Sequence, residues 1–401
     1  MPSKLNYISK KIKKQLTHSS WIRKMFETGN ELKIKYGAEN VFDFSLGNPD
    51  APPPDAFFDC YSKLCCERKP ENHSYMPNAG YPDTRNKLAS RLSEIYDKKI
   101  SINNLIMTSG AAGAINIALK SILNKRDEVI LIAPYFAEYI FYVDNHGGII
   151  EIADSTSDFD IDIKNIEKSI SDKTSAIIIN SPNNPTGKVY SESNLVQLAD
   201  LLRKYSEKFG RPIYIISDEP YRNIIYDDRK IPSMLNIYQN TIIVNSYSKE
   251  LSLPGERLGY ALINPDCEGK LELFDAMVMC NRILGFVNAS ATMQRVIGNL
   301  IYEYSVQVDK FLYERRRNIL YDFLTSAGYE IYKTEGAFYL FVKSPIEDDV
   351  KFKDILLSEN ILAVPGTGFG RSGYFRLAYC VSEKTIFGSF PGFKRAIEKV
   401  K

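Results

Sequence analysis

The chain has 401 residues, 44% hydrophobic and 25% charged, which is typical of a globular protein with more than one core. Its formal net charge of +2 gives no reason to expect nucleic acid or an anionic membrane as a partner. The cysteines form no CxxC pair and the histidines are widely spaced, so we expect no metal site. No signal sequence or membrane-spanning segment is recognisable, so we expect a cytoplasmic protein.

Residues 19–37 have helical periodicity, and the first 45 residues show no strand pattern. Short apolar runs rich in β-branched residues follow, and they alternate with helical segments such as 111–123 and 193–210. The five runs are 105–108, 129–133, 176–180, 213–217 and 241–245. Alternation of fully apolar strands with helices predicts an α/β fold whose mostly parallel sheet is covered by helices on both faces. Residues 256–263 predict an additional antiparallel strand.

The pattern changes after about residue 288. One long helical stretch, 290–328, leads into strand-like segments at 337–343 and 374–382. This order of elements predicts a second, smaller α+β unit. We therefore expect a large domain over residues 49–289 and a small domain over 290–401, with residues 1–48 packed against the small domain.

The residues that follow the five apolar runs have side chains that together suit one ligand. Ligands of open parallel sheets bind at the carboxyl ends of the strands, so these residues are the candidate site. In chain order they are Ala111, Ala112, Phe136, Asn184, Asp218, Tyr221, Ser246, Ser248, Lys249 and Arg257. An amine can condense with an aldehyde, a carboxylate can keep a ring nitrogen protonated, and a helix start with an arginine can bind phosphate. Together they fit pyridoxal 5'-phosphate.

Three motifs carry a family resemblance. SPNNPTG, SDEPY and SYSKELSLPGERLGY, in this order, resemble the class I aminotransferases of the fold-type I pyridoxal-phosphate enzymes. The resemblance extends from FSLGNPD to YFRLAYCVS and so covers most of the chain. It implies a pyridoxal-phosphate-dependent transaminase with a seven-stranded sheet in the large domain and a small α+β domain formed by both chain ends.

The resemblance implies a role for each matching residue. Lys249 would bond to the cofactor aldehyde and carry the proton of the substrate Cα, and Asp218 would pair with the ring nitrogen. The other implied cofactor contacts are Tyr221 and Asn184 at the ring 3'-oxygen, Phe136 on the ring face, and Ser246, Ser248, Arg257, Ala111 and Ala112 at the phosphate. Ala111 and Ala112 stand where the family commonly has a pair that contains glycine or serine.

The resemblance also implies substrate and subunit contacts. Arg376 matches the arginine that binds the substrate α-carboxylate, Asn184 also contacts the substrate, and Gly47 lies in the segment that covers it. Tyr75 matches a tyrosine that reaches the phosphate of the neighbouring subunit, which implies a homodimer with shared active sites. Arg282 lies near the position of an arginine for a distal carboxylate, and a solvated side chain explains it equally well.

Several functions stay open at this stage. The resemblance favours amino transfer from aspartate or a similar donor to a 2-oxo acid such as 2-oxoglutarate by a ping-pong mechanism, with alanine or aromatic donors as alternatives. C–S β-lyases and related elimination or cyclising enzymes share the lysine, acid and arginine. A transcriptional regulator that senses the cofactor would need a DNA-binding domain, and the roughly 40 residues before FSLGNPD are too few. The GxGxxG match at 368–373 precedes a strand instead of a helix, which argues against a dinucleotide-dependent dehydrogenase.

Overall fold

The computed structural model describes residues 7–17, 21–302 and 309–400. Its strands are β1 (Phe42–Asp43), β2 (Leu105–Thr108), β3 (Glu128–Ala133), β4 (Ile149–Asp154), β5 (Thr174–Asn180), β6 (Tyr214–Asp218), β7 (Thr241–Ser246), β8 (Gly259–Ile263), β9 (Tyr339–Lys343), β10 (Ile361–Leu362), β11 (Val364–Pro365) and β12 (Tyr374–Ala378).

The α-helices of the described ranges precede, separate and follow these strands. They are α1 (Lys10–Thr17), α2 (Trp21–Tyr36), α3 (Asp55–Cys66), α4 (Pro82–Tyr96), α5 (Gly110–Ile122), α6 (Tyr139–Asn145), α7 (Ile163–Ser169), α8 (Glu192–Phe209), α9 (Met234–Ile237), α10 (Tyr247–Glu250), α11 (Lys270–Ile283), α12 (Ala291–Leu300), α13 (Lys310–Ser326), α14 (Asp349–Ser358) and α15 (Glu383–Glu398). Within the ranges searched, no helix has the length and apolar character needed to cross a bilayer.

A seven-stranded sheet forms the centre of the fold, with strand order β2-β8-β7-β6-β5-β3-β4. All strand pairs are parallel except those of β8, which is antiparallel to β2 and β7. Each of the five apolar runs is a strand, and helices bury both sides: α5 and α11 pack on one face, and α8 packs on the other. The predicted α/β class, the mostly parallel sheet and the antiparallel strand are confirmed.

Two strands differ from the expectation. The first 45 residues do contain a strand, β1, so the prediction of none was wrong. Because β1 has two residues and pairs with β10, more than 300 residues away, no local pattern could reveal it. The edge strand β4 was not recognised either, because its partly exposed sequence, IIEIAD, is not a continuous apolar run.

The C-terminal part forms a second, smaller unit. Strands β11, β12 and β9 make an antiparallel sheet, which packs with α13, α14 and α15 around a core that includes Phe44 from the N-terminal segment.

The predicted helical stretch 290–328 contains α12 and α13, and its residues 303–308 lie outside the described ranges, as do 1–6 and 18–20 of the N-terminal segment. The β1–β10 pair and Phe44 support the proposed packing of residues 1–48; the boundaries at 48 and 289 stay a prediction.

The parallel order brings distant residues to one edge. Strands β5, β6 and β7 are neighbours, and Asn180 is in register with Asp218, which is in register with Val244. Their carboxyl ends therefore meet at the same edge of the sheet. Helix α10 continues directly from β7 at this edge, so its residues lie beside the ends of β5 and β6.

Replacing Ile177 by alanine should destabilise the protein much more than replacing Ile152. Ile177 is fully buried in the central strand β5, whereas Ile152 of the edge strand β4 is 51% exposed. We expect Ile177→Ala to cost about 2–5 kcal/mol and Ile152→Ala about 0.5 kcal/mol. Urea unfolding followed by circular dichroism measures both midpoints. Equal midpoint shifts would contradict the buried position of β5.

Candidate active site

A cavity of about 330 Å³ opens at the carboxyl ends of β5, β6 and β7, next to the small sheet. We call it the strand-end cavity. Twelve of the residues predicted from the sequence line it: Gly47, Ala111, Ala112, Phe136, Asn184, Asp218, Tyr221, Ser246, Ser248, Lys249, Arg257 and Arg376. Residues from the large sheet, the N-terminal segment and β12 thus meet around one space.

Lys249 presents its amine to this cavity from α10. Its Nζ donates a hydrogen bond of 2.7 Å to the carbonyl oxygen of Gly47 and lies 5.7 Å from the centre of the Phe338 ring. Burial lowers the pKa of Lys249 to about 8, and the positive charges of Arg376 and Arg257 act in the same direction. About a tenth of this amine is therefore neutral and nucleophilic at pH 7, compared with less than about 0.1% for an ordinary lysine.

Asp218, the last residue of β6, carries a buried carboxylate with one satisfied oxygen. Its Oδ2 accepts a hydrogen bond of 2.5 Å from the hydroxyl of Tyr139, whereas its buried Oδ1 has no hydrogen-bond partner among the described residues. Burial raises the pKa of Asp218 to about 7, and the nearby charge of Glu219 adds to this rise. A buried carboxylate oxygen is costly to leave unpaired, so this position fits a cationic or proton-bearing group such as a protonated ring nitrogen.

The first turn of α5 and the guanidinium of Arg257 lie close together on one wall of the cavity. Gly110 has a positive φ of 70°, and a Cβ there would lie 2.9 Å from Nη2 of Arg257. Glycine therefore permits the close approach of the helix start and the arginine. The same wall carries Ala111, Ala112, Ser246 and Ser248. Free N–H groups at a helix start, a guanidinium and two hydroxyl-bearing side chains fit a phosphate.

Arg376 of β12 defines the other side of the cavity. Its buried guanidinium lies between the rings of Tyr339 and Phe369, 4.7 and 4.9 Å from their centres. Nη1 donates to Oδ1 of Asn184 at 3.0 Å and Nη2 to the carbonyl oxygen of Ser45 at 2.5 Å, while Nε has no hydrogen-bond partner within the described ranges. Both contacts are with neutral oxygens, so the guanidinium fits a carboxylate from a ligand.

Gly47 brings the N-terminal segment into contact with the site. A Cβ at this position would lie 2.0 Å from the hydroxyl of Tyr339, which in turn forms a hydrogen bond of 2.7 Å with the hydroxyl of Tyr221. Any side chain here would displace Tyr339. The backbone of the segment can therefore cover the cavity only because residue 47 is glycine.

Other polar residues that were not predicted from the sequence line or support the site, and three of them, Tyr139, Asn180 and Tyr339, contact predicted site residues. Tyr139 binds Asp218, although it lies in the same segment as Phe136 and could have been found there. Asn180 accepts from the backbone N–H of Asn184 at 2.6 Å and donates to the Asp218 carbonyl oxygen at 2.8 Å. Asn180 is the last residue of its apolar run, so it is missed when only the residues after each run are considered. Tyr339 lies within an apolar run and gives no local signal.

Two residues from the sequence analysis lie away from this group. Tyr75 does not line the strand-end cavity, and its side chain is 93% exposed in the single chain. Arg282 is exposed near the end of α11 and does not line the cavity either.

Comparison with known proteins assigns the family. A model of the family "Aminotransferase class I and II", whose members generally depend on pyridoxal phosphate, matches residues 39–386. An aminotransferase from Eubacterium rectale has a similar structure, with a TM-score of 0.94 and 38% identity over 99% of this chain and 100% of that chain. The aspartate aminotransferase of Thermotoga maritima is 31% identical over 87% of this chain and 89% of its own length. That of Pyrococcus horikoshii is 29% identical over 96% of each. The chain therefore belongs to the class I and II aminotransferase family and is a transaminase.

Proposed function

We propose that this transaminase uses pyridoxal 5'-phosphate to move the amino group of an L-amino acid, aspartate or a similar donor, to a 2-oxo acid such as 2-oxoglutarate by a ping-pong mechanism. The relatives named aspartate aminotransferase support this donor. The unpartnered buried Oδ1 of Asp218, in the same cavity as the amine of Lys249, is the observation that carries the proposal. A cofactor with an aldehyde and a basic ring nitrogen satisfies both groups.

Each side of the cavity holds one part of the cofactor in this proposal. When bound, pyridoxal phosphate supplies an aldehyde that bonds to amines and an electron-poor ring that accepts the electron pair released at the substrate Cα. Asp218 keeps the proton on the ring nitrogen, Phe136 stacks on the ring, and Tyr221 with Asn184 donates to the 3'-oxygen. The phosphate is bound by Arg257, Ser246, Ser248 and the amides of Ala111 and Ala112.

Lys249 has two tasks in the proposal. Its amine would hold the cofactor covalently through the aldehyde, and in its free form it would carry the proton of the substrate Cα. A pKa of about 8 suits both, because neutral and protonated forms are both populated near physiological pH. The carbonyl oxygen of Gly47 orients the amine through its 2.7 Å hydrogen bond.

The substrate is held at its α-carboxylate. We propose that Arg376 forms a two-point contact with this group, assisted by Asn184, and that the backbone around Gly47 excludes water from the cavity. No motif specifies the residues around the substrate side chain, so alanine and aromatic amino acids belong in the donor panel. C–S β-elimination is the other outcome that such a panel can reveal.

We also propose a cytoplasmic homodimer. Six free cysteines support a reducing compartment. Tyr75 is almost fully exposed although its ring is large and apolar, which supports its insertion into the active site of a second copy. There its hydroxyl would bind the cofactor phosphate.

Aspartate alone should change the visible absorbance of the protein loaded with pyridoxal phosphate, because the first half-reaction of a ping-pong mechanism needs no acceptor. Lys249→Ala should lower the rate of this change by at least about 10³-fold, while Lys173→Ala, at an exposed position, keeps the wild-type rate. Stopped-flow absorbance measures both. Release of a thiol, pyruvate and ammonia from a cysteine S-conjugate supplied without an acceptor would assign a lyase instead. No change with any of the common amino acids would contradict the proposal.

Lys249 should react with amine reagents at lower pH than other lysines. With a pKa of about 8, half of its amines are neutral at pH 8; an ordinary lysine is less than about 1% neutral there. Labelling of the cofactor-free protein at a series of pH values, with peptide mass mapping, gives a midpoint for each residue. We expect a midpoint near 8 for Lys249, well below the value of about 10.4 for an unperturbed lysine. A Lys249 midpoint near the unperturbed value would show that burial does not depress its pKa.

Mixed dimers should regain activity if Tyr75 acts across the subunit interface. Lys249→Ala and Tyr75→Phe chains each give impaired homodimers, but a dimer with one of each contains one intact site. Coexpression at equal levels should therefore restore about a quarter of wild-type activity. Differently tagged chains allow the mixed dimer to be isolated and assayed. If Tyr75 acts within its own chain, both sites of the mixed dimer stay defective.

A further inference from the structure

A group of charged side chains with a buried centre and an exposed rim lies outside the lining of the strand-end cavity. We call it the Glu335 cluster; its members are Asp158, Asp160, Lys188, Arg229 and Glu335. Nζ of Lys188 is 2.9 Å from Asp158, 3.8 Å from Asp160 and 4.0 Å from Glu335, and Arg229 is 3.1 Å from Glu335. The side chains of Lys188 and Glu335 are only 8% and 7% exposed. Burying these two charges costs desolvation free energy. A role in positioning neighbouring residues would explain why they are buried.

Glu335 binds two separate loops. Its Oε2 accepts from the backbone N–H of Val189 at 2.9 Å, and its own backbone N–H donates to the carbonyl oxygen of Gly187 at 3.1 Å. Its carbonyl oxygen accepts from the N–H of Tyr226 at 3.0 Å. Glu335 thus connects the turn after β5 with the segment after β6.

The turn after β5, residues 181–190, carries Asn184 and is called here the asparagine turn. It is closed by hydrogen bonds from Asn183 N to Lys188 O, 2.9 Å, and from Gly187 N to Asn183 O, 2.7 Å. Glu335 holds the turn at Gly187 and Val189, on the side away from the cavity. On the cavity side, Oδ1 of Asn184 accepts from Arg376 at 3.0 Å.

Glu335 also precedes the strand that positions Arg376. Strand β9 begins at Tyr339, whose ring stacks against the guanidinium, and Phe341 of β9 is in register with Arg376 of β12. The position of Arg376 depends on β9, and that of Asn184 depends on the asparagine turn. Through its hydrogen bonds with Gly187 and Val189, Glu335 attaches the segment before β9 to the asparagine turn.

We propose that Glu335 is a positioning residue for recognition of the substrate α-carboxylate: it fixes Asn184 relative to Arg376 without touching the substrate. This inference rests on the proposed function, in which Arg376 and Asn184 bind that carboxylate. A two-point contact between a guanidinium and a carboxylate is sensitive to angle and distance. A displacement of about 1 Å between the two groups can cost up to 10²-fold in rate.

The test measures succinate, an aspartate analogue without the amino group, as a ligand of the protein loaded with pyridoxal phosphate. Glu335→Ala should weaken succinate binding and raise KM for aspartate by about 10-fold with a smaller effect on kcat, because it loosens the carboxylate contact. Affinity for pyridoxal phosphate, measured on the cofactor-free protein, should fall by less than about 3-fold, because Asn184 is only one of the proposed cofactor contacts. Glu335→Gln keeps an acceptor for Val189 but loses the ion pair with Arg229, so its effect should be smaller; it also serves if the alanine variant fails to fold.

Two controls make the test specific. Glu330→Gln removes an exposed ion pair with Lys343, where the glutamate is 75% exposed, and should change neither affinity. In an Arg376→Lys background, Glu335→Ala should cause no further loss of succinate affinity, because both act on the same contact.

The outcomes separate this inference from the function on which it rests. Unchanged succinate binding in Glu335→Ala, equal losses of succinate and cofactor affinity, or additive losses with Arg376→Lys would overturn the positioning role. Wild-type protein that binds neither pyridoxal phosphate nor succinate would overturn the proposed function, and the inference with it.

Discussion

The desolvation of one amine is the constraint on which the rest of the site depends. Lys249 is kept from water and lies near two guanidinium groups, those of Arg376 and Arg257, so its neutral form is favoured and its pKa falls to about 8. These two cations occupy opposite sides of the cavity, where we propose that the substrate carboxylate and the phosphate bind. Anions at both positions would weaken the repulsion and raise the pKa of the lysine. The two ligands would therefore shift the amine towards its protonated form.

Asp218 shows the complementary shift. Burial raises its pKa to about 7, and the single hydrogen bond from Tyr139 only partly offsets this rise, since the other oxygen has no partner in the described chain. A cation at Oδ1 would lower this pKa and hold the carboxylate in its charged form. The cavity thus contains a lysine that is easily deprotonated and a carboxylate that is easily protonated. Opposite shifts of this kind are typical of groups assembled for acid–base chemistry.

The sequence predicts the strands and most of the cavity lining because both follow from short-range patterns. Apolar runs mark the strands, and parallel strands end at one edge, so the residues after the runs must meet there. Asn180 and Tyr339 cannot be found in this way, because Asn180 is the last residue of an apolar run and Tyr339 lies inside one. The role proposed for Glu335 depends on contacts with Val189 and Gly187, far away in the chain, which no local pattern reveals. The role proposed for Tyr75 involves a second copy of the chain.

The N-terminal segment explains why the site needs both ends of the chain. The carbonyl oxygen of Ser45 accepts from Arg376, and that of Gly47 accepts from Lys249, so one short stretch of backbone contacts both cationic groups. An α-amino acid brings a carboxylate that competes with the Ser45 carbonyl oxygen for Arg376. A carboxylate forms stronger hydrogen bonds with a guanidinium than a neutral carbonyl does, so substrate binding should replace the Ser45 contact. The segment is itself anchored by the β1–β10 pair, so the Ser45 contact can exchange for substrate while the backbone cover stays attached.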